Sequence, residues 1–194
     1  MHTEKVDAQD STSVEVFRNG KLDETLSVSG HYDVKCFDVD GNLKWEDSFS
    51  NIVVNEGKAD LLTKYFKGAA YTAAWYMGLV NNAGFTTYAP GDTLLSHGGW
   101  AESTAYAGSR PSVAFGTASA TGGSSNPGVA GTGSLVTSSA VTFVMNASAT
   151  ILGAFLCTVS SGTSGVLYSA GSFTGGSRTV VAADSLLVTY TAQD

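Results

Sequence analysis

The stretch best equipped for chemistry is Ala89–Trp100, A-P-G-D-T-L-L-S-H-G-G-W. It brings a carboxylate (Asp92), a hydroxyl (Ser96) and an imidazole (His97) close together, then adds two glycines and an indole. A hydrolase uses these types as orienting acid, nucleophile and general base. The spacing argues against that use, because neighbours such as Ser96 and His97 point to opposite sides of an extended chain. Asp184 could substitute for Asp92 only through the fold, and residues this common form such sets by chance. A structural reading accounts for every residue. Pro90-Gly91 makes a turn, Asp92 caps a short helical turn at T-L-L, and Gly98-Gly99 permit backbone angles other residues avoid. Trp100 is thereby delivered to an apolar seat, with His97 as a hydrogen-bonding pin.

Other motifs are weaker. D-V-D-G-N (38–42) spaces Asp38, Asp40 and Asn42 like the first ligands of a calcium loop. Its sixth position is Leu43 where glycine is needed, and its twelfth is Phe49 where glutamate is needed, so a hairpin turn at Asp40-Gly41 is expected. The histidines are His2, His31 and His97, and Cys36 lies five positions after His31 with no further ligand nearby, too little for a zinc site. G-T-S-G (162–165) and A-G-S-F (170–173) lack the spacing of a nucleophile elbow, and no phosphate loop or H-E-x-x-H occurs. Between residues 68 and 193 the carboxylates are Asp92, Glu102 and Asp184. A glycosidase needs two of them ~5–9.5 Å apart. Trp75, Tyr76, Trp100, Tyr106 and Tyr168 could stack on sugar rings, but core and interface roles fit them better. No catalytic, cofactor-binding or metal-ligating residue is assigned, no cofactor is expected, and the chain does not read as an enzyme.

Composition explains what these residues are embedded in. Charged residues make up 14% of the 194, against a typical share of about 25%. Residues 1–67 hold 8 Lys+Arg and 13 Asp+Glu, whereas residues 68–194 hold only Arg110, Arg178, Asp92, Glu102, Asp184 and Asp194. A surface of Ser, Thr, Gly, Ala and Asn costs little to desolvate and suits packing against other protein. The alternative is a Ser/Thr-rich sandwich kept soluble by its hydroxyls. No basic patch points to nucleic acid. No apolar run approaches the ~18 residues of a membrane span. No basic segment leads into an apolar stretch as an export signal would, so Cys36 and Cys157 are expected to be reduced and buried.

The elements that must position these residues are mostly strands. Residues 1–30 read as an arm able to carry a small β-hairpin turning at Asn19-Gly20, and residues 31–194 as the folded domain. Within it, 31–38 and 43–49 form a hairpin. Residues 55–67 form the one convincing helix, with Asn55 as N-cap, Leu61, Leu62, Tyr65 and Phe66 as its apolar face, and Gly68 just past its end. Strands follow at 73–80, 112–118, 139–147, 150–159, 165–173, 179–182 and 185–192. Residues 86–110 are an irregular connection and 121–134 a flexible loop. The apolar run 150–159 belongs in a sheet interior. The fold class is mainly β: a jelly-roll-like sandwich or barrel with one short helix and an extended N-terminal arm.

Several segments together carry a resemblance: F-S-N-I-V-V-N-E-G-K-A-D-L-L-T-K-Y-F (49–66), A-W-Y-M-G-L-V-N-N-A-G-F (74–85), G-D-T-L-L-S-H-G-G-W-A-E (91–102), S-R-P (109–111), M-N-A-S-A-T-I-L-G-A-F-L (145–156) and V-L-Y-S-A-G-S-F (166–173). In this order they resemble the capsid cement, or decoration, proteins of tailed bacteriophages with podovirus-like heads. The resemblance spans about residues 49–192 and leaves the arm outside it. It implies a jelly-roll-like structural virion protein, made in the host bacterial cytoplasm and bound to the exterior of the head. There it would bridge major capsid protein subunits to stabilise the shell, associating with itself as a homodimer or, alternatively, a trimer. It implies no site residues, and no nucleic-acid or membrane partner. A tail- or head-fibre protein that binds a receptor glycan is the alternative.

Overall fold

The computed structural model describes residues 28–70, 74–122 and 131–193. The hairpin proposed at Asn19-Gly20 and the rest of the arm before Val28 lie outside them. The described residues build two antiparallel sheets and one helix, so the mainly-β expectation holds. Strand β1 (Ser29–Phe37) turns back as β2 (Leu43–Ser50), and the chain then crosses to the second sheet through β3 (Ile52–Val53), α1 (Asn55–Lys67), β4 (Trp75–Asn81), β5 (Ala101–Ser103) and β6 (Ser112–Val113). It returns to the first sheet as β7 (Ser119–Gly122), β8 (Gly131–Val136) and β9 (Val141–Val144). It then crosses again as β10 (Ala149–Cys157), β11 (Leu167–Ser172) and β12 (Arg178–Val180), and ends in the first sheet as β13 (Ser185–Gln193). The first sheet runs β2-β1-β13-β8-β7, with β9 also on β13. The second runs β3-β11-β10-β4-β5, with β12 on β10 and β6 on β4.

Alternation dictates the first sheet. In β1 the even positions Tyr32, Val34 and Cys36 are buried, and in β13 so are Leu186, Val188 and Tyr190. The register sets these directly opposite each other: Tyr32 on Tyr190, Val34 on Val188, Cys36 on Leu186. Tyr32 also stacks on Phe49 of β2, ring centres 5.0 Å apart. Each such side chain removed from water contributes about 1.5–3 kcal/mol. Gly30 is required beside them, because a Cβ there would strike the Tyr190 hydroxyl and Asn51.

The second sheet follows a different rule. Strand β10 is flanked by β11 and β4, and its last seven residues are all buried. A register shift between Ile151 and Gly153 divides its side chains between two cores. Ile151, Ala154 and Leu156 join the layer between the sheets, whereas Leu152, Phe155 and Cys157 join a separate cluster with Val54, Val80, Leu94 and Trp100. The expected interior strand is therefore buried on both faces, with the irregular 86–100 segment covering the outer one.

Several boundaries differ from those read in the sequence. Helix α1 spans the expected residues and ends at Gly68 in the left-handed conformation. Asn55, however, is inside the helix, and the preceding Val54 takes the cap position without a side-chain bond. The Asn55 N–H is satisfied instead by the Pro90 carbonyl. The expected loop 121–134 overlaps a hairpin, since β7 and β8 pair in register from Ser119↔Ser134 to Gly122↔Gly131. Backbone pairing there overrides a Gly/Ser-rich composition that favours loops.

The outer core depends on one small residue. A Cβ on Gly78 would lie 2.2 Å from the Phe155 ring. Gly78→Ala is expected to destabilise the protein by about 1–3 kcal/mol, read as a lower urea midpoint at unchanged slope.

Candidate functional site

The segment from Phe85 to Trp100 folds as a lid on the outer face of the second sheet. Thr86 N donates to the Gly99 carbonyl, which ties the ends of the lid together. Gly99 fits there because a Cβ would press into the Thr87 carbonyl oxygen. Trp100 is 5% exposed, its ring 5.2 Å from Phe155 and 5.9 Å from Tyr88. Its indole N–H donates to Asp92 Oδ2 at 2.9 Å, and the Ala89 N–H donates to the same oxygen at 2.9 Å. The His97 ring stacks on the indole at 4.0 Å, and Nδ1 donates to the Trp100 carbonyl at 3.0 Å.

These contacts tie all three residues with hydrolase chemistry into the lid. Asp92 binds the indole and a backbone N–H. His97 Nδ1, the nitrogen that an orienting acid would hold, is taken by a carbonyl. The Ser96 N–H donates to Thr93 Oγ1, within a turn. No helical turn follows Asp92, so the expected cap is corrected: a buried indole N–H left unbonded would cost more than an open turn, and the carboxylate goes to it.

The other carboxylates are equally committed. Glu102 on β5 receives Arg110 in a two-point clasp, Nε to Oε1 at 2.8 Å and Nη2 to Oε2 at 2.6 Å. The Tyr106 hydroxyl donates to Glu102 Oε1 at 3.0 Å, and Arg110 Nη1 reaches the carbonyls of Val159 and Gly162. The guanidinium also lies over the Phe155 ring, 5.3 Å from its centre. Burial, reinforced by the Glu102 charge, pushes the Tyr106 hydroxyl well above the ordinary tyrosine range. The signal that was missed is scarcity: where charged residues are so few, an acid and a base eight positions apart are a pair worth forming. Asp184 accepts from Lys44 and from the Val181 N–H. Asp47 accepts from the Thr174 and Gly175 N–H groups and from Arg178.

The metal candidates separate too. Asp38 Oδ1 accepts from the N–H groups of Asp40 and Asn42, and Gly41 supplies a φ of 83°, so D-V-D-G-N is a hairpin turn closed on itself. Those bonds, the Asn42 N–H first, hold the Asp38 carboxyl below the ordinary aspartate range. His31 and Cys36 leave β1 on opposite faces: the imidazole meets Ser48 at 2.6 Å outside, and the thiol is buried. Burial pushes the Cys36 thiol up to about 11 and raises that of Cys157. Among the described residues no three His, Cys, Asp or Glu side chains are grouped to hold a metal ion.

Open apolar surface gathers elsewhere. Among the described residues, helix α1 is buried at its first turn. Gly57 is its one buried residue, held so close to β11 that a Cβ would strike the Tyr168 carbonyl, and Glu56 accepts from the Leu167 N–H. Past that turn the apolar face expected to be buried is not: Leu62 is 48% exposed, Tyr65 80% and Phe66 73%. Beside it, a cavity of about 920 Å³ opens between α1 and the end of the sandwich, lined by Leu61, Tyr65, Trp75, Phe115, Tyr168 and Tyr190 among others. Of the aromatics considered for sugar stacking, Trp100 and Tyr106 are core residues, Tyr76 packs against the outer core, and Trp75 and Tyr168 line this cavity.

The described residues thus define an antiparallel β-sandwich whose polar clusters brace its loops and whose exposed apolar side chains gather at α1. No family model matches this chain, and neither a curated protein nor a solved structure matches it.

Trp100→Ala is expected to cost about 3–5 kcal/mol, and His97→Ala about 1 kcal/mol, which denaturant unfolding of the two variants checks. The Asp38 carboxyl is expected to titrate below ordinary aspartates by NMR. Its contribution to stability is present above the unfolded-state pKa and lost as pH falls through the lowered folded-state value. Asn42→Ala should move that titration upward.

Proposed function

We propose that this protein is a structural component of a tailed-bacteriophage virion, a capsid cement protein on the exterior of the head that bridges major capsid protein subunits. The observation that carries the reading is helix α1, a short element fixed at one end that turns Leu62 and Phe66 outward. An exposed apolar pair on a short helix suits docking on another protein. The commitment of Asp47, Asp92, Glu102 and Asp184 to local contacts favours a bracing role over catalysis. So does the sandwich itself, with β1 and β13 paired along nine residues, Ser29↔Gln193 to Phe37↔Ser185. Several weak contacts per subunit, repeated over a lattice, would give firm attachment without a large single interface. Self-association as a homodimer or trimer belongs to the same reading.

The test uses heads assembled with and without the protein. Heads lacking it are expected to rupture at lower temperature or milder osmotic shock, and the Leu62→Asp/Phe66→Asp protein is expected to bind heads at least about tenfold more weakly, a loss of ~1.4 kcal/mol. Heads equally stable without the protein, together with binding of the protein to host cells, would replace this reading with the receptor-binding one.

A further inference from the structure

We infer that the apolar groove between α1 and the open end of the sandwich is the docking site of this chain's own residues 14–27. Three observations converge on that occupant. The first is position: Val28, where the described chain begins, lines the groove, so the preceding residues enter it or pass its mouth. The second is parity. In β1 the even positions Gly30, Tyr32, Val34 and Cys36 face the core, and an extended continuation puts Val28, Leu26, Glu24 and Leu22 on the same side, three of the four apolar. That side faces Tyr190, Leu156 and Trp75, which line the groove. The third is reach: from Val28 back to Leu22 an extended chain spans ~20 Å, the length of the 13-residue helix along the groove. Asn19-Gly20 would then turn the chain, and Val14, Val16 and Phe17 could return along it.

The groove is too apolar for a sugar, and the 123–130 stretch between β7 and β8 offers a single large apolar side chain, Val129. Residues 14–27 offer five: Val14, Val16, Phe17, Leu22 and Leu26. Docking them covers Leu61 and Tyr65 on the groove side of α1 and leaves Leu62 and Phe66 to an outside partner, so the inference does not depend on the virion reading.

Hydrogen exchange on the full-length protein, read by mass spectrometry, tests it together with a crosslink. Residues 14–27 are expected to exchange at least about tenfold more slowly than an unstructured chain, and Leu22→Asp/Leu26→Asp is expected to abolish that protection while leaving β1 and β13 protected. In a Leu26→Cys/Leu61→Cys variant, oxidation is expected to give an intrachain disulfide in a monomer-sized product, since the native thiols are buried. Unprotected exchange across 14–27 would overturn the inference. So would a crosslink forming only between chains, which would assign the groove to a second copy, or a native mass carrying an apolar small molecule in place of the segment.

Discussion

Everything on the outer side of this molecule depends on covering a sheet that is apolar on both faces. Strand β10 sends alternate stretches of its sequence to opposite sides, and Phe155 is the side chain on which the outer layer is built. Gly78 leaves room for its ring, Trp100 leans on it and Arg110 lies over it. The lid can deliver Trp100 only if the indole N–H finds an acceptor in the interior, and Asp92 is that acceptor. The residues that look most reactive in the sequence are thus the ones that make burial of an indole affordable.

The same economy governs the remaining charges. In a stretch with six charged residues, Glu102 and Arg110 clasp each other, Asp184 receives Lys44, and Arg178 meets Asp47. The first two pairs each join a loop to a strand, and the third joins β12 to β2 beside the Thr174 and Gly175 N–H groups that Asp47 also holds, where an unbraced backbone would otherwise leave polar groups unmet. Replacing one partner would strand the other, so these pairs behave as fasteners for particular loop geometries more than as sources of net stability. What residues 68–194 leave for the outside is mostly small uncharged side chains.

Much of this was legible in the sequence, for physical reasons that differ by element. The β1–β2 hairpin and β13 show in simple alternation because one face of each is buried and the other wet. Helix α1 was readable to its last residue, because Gly68 is the natural stop and no strand competes for its chain. What escaped was how elements meet. Leu61, Leu62, Tyr65 and Phe66 have the spacing of a buried face, but periodicity says only that a face exists. Among the described residues the helix's one buried position is Gly57, a residue whose importance is a close approach no pattern reveals. The groove joining Trp75, Tyr168 and Tyr190 likewise brings together residues far apart in the chain. The Ser119–Gly122 and Gly131–Val136 pair was hidden by a composition that favours loops.

The central claim is that the outward apolar side of α1 is an attachment surface on a phage head. A density map of the assembled particle, at a resolution that separates helices from sheets, tests it most directly. The account predicts this sandwich on the outer surface of the shell, with α1 at the contact and Leu62 and Phe66 covered by the major capsid protein. A map placing the protein at a fibre tip, or on the shell with α1 facing solvent, would contradict it.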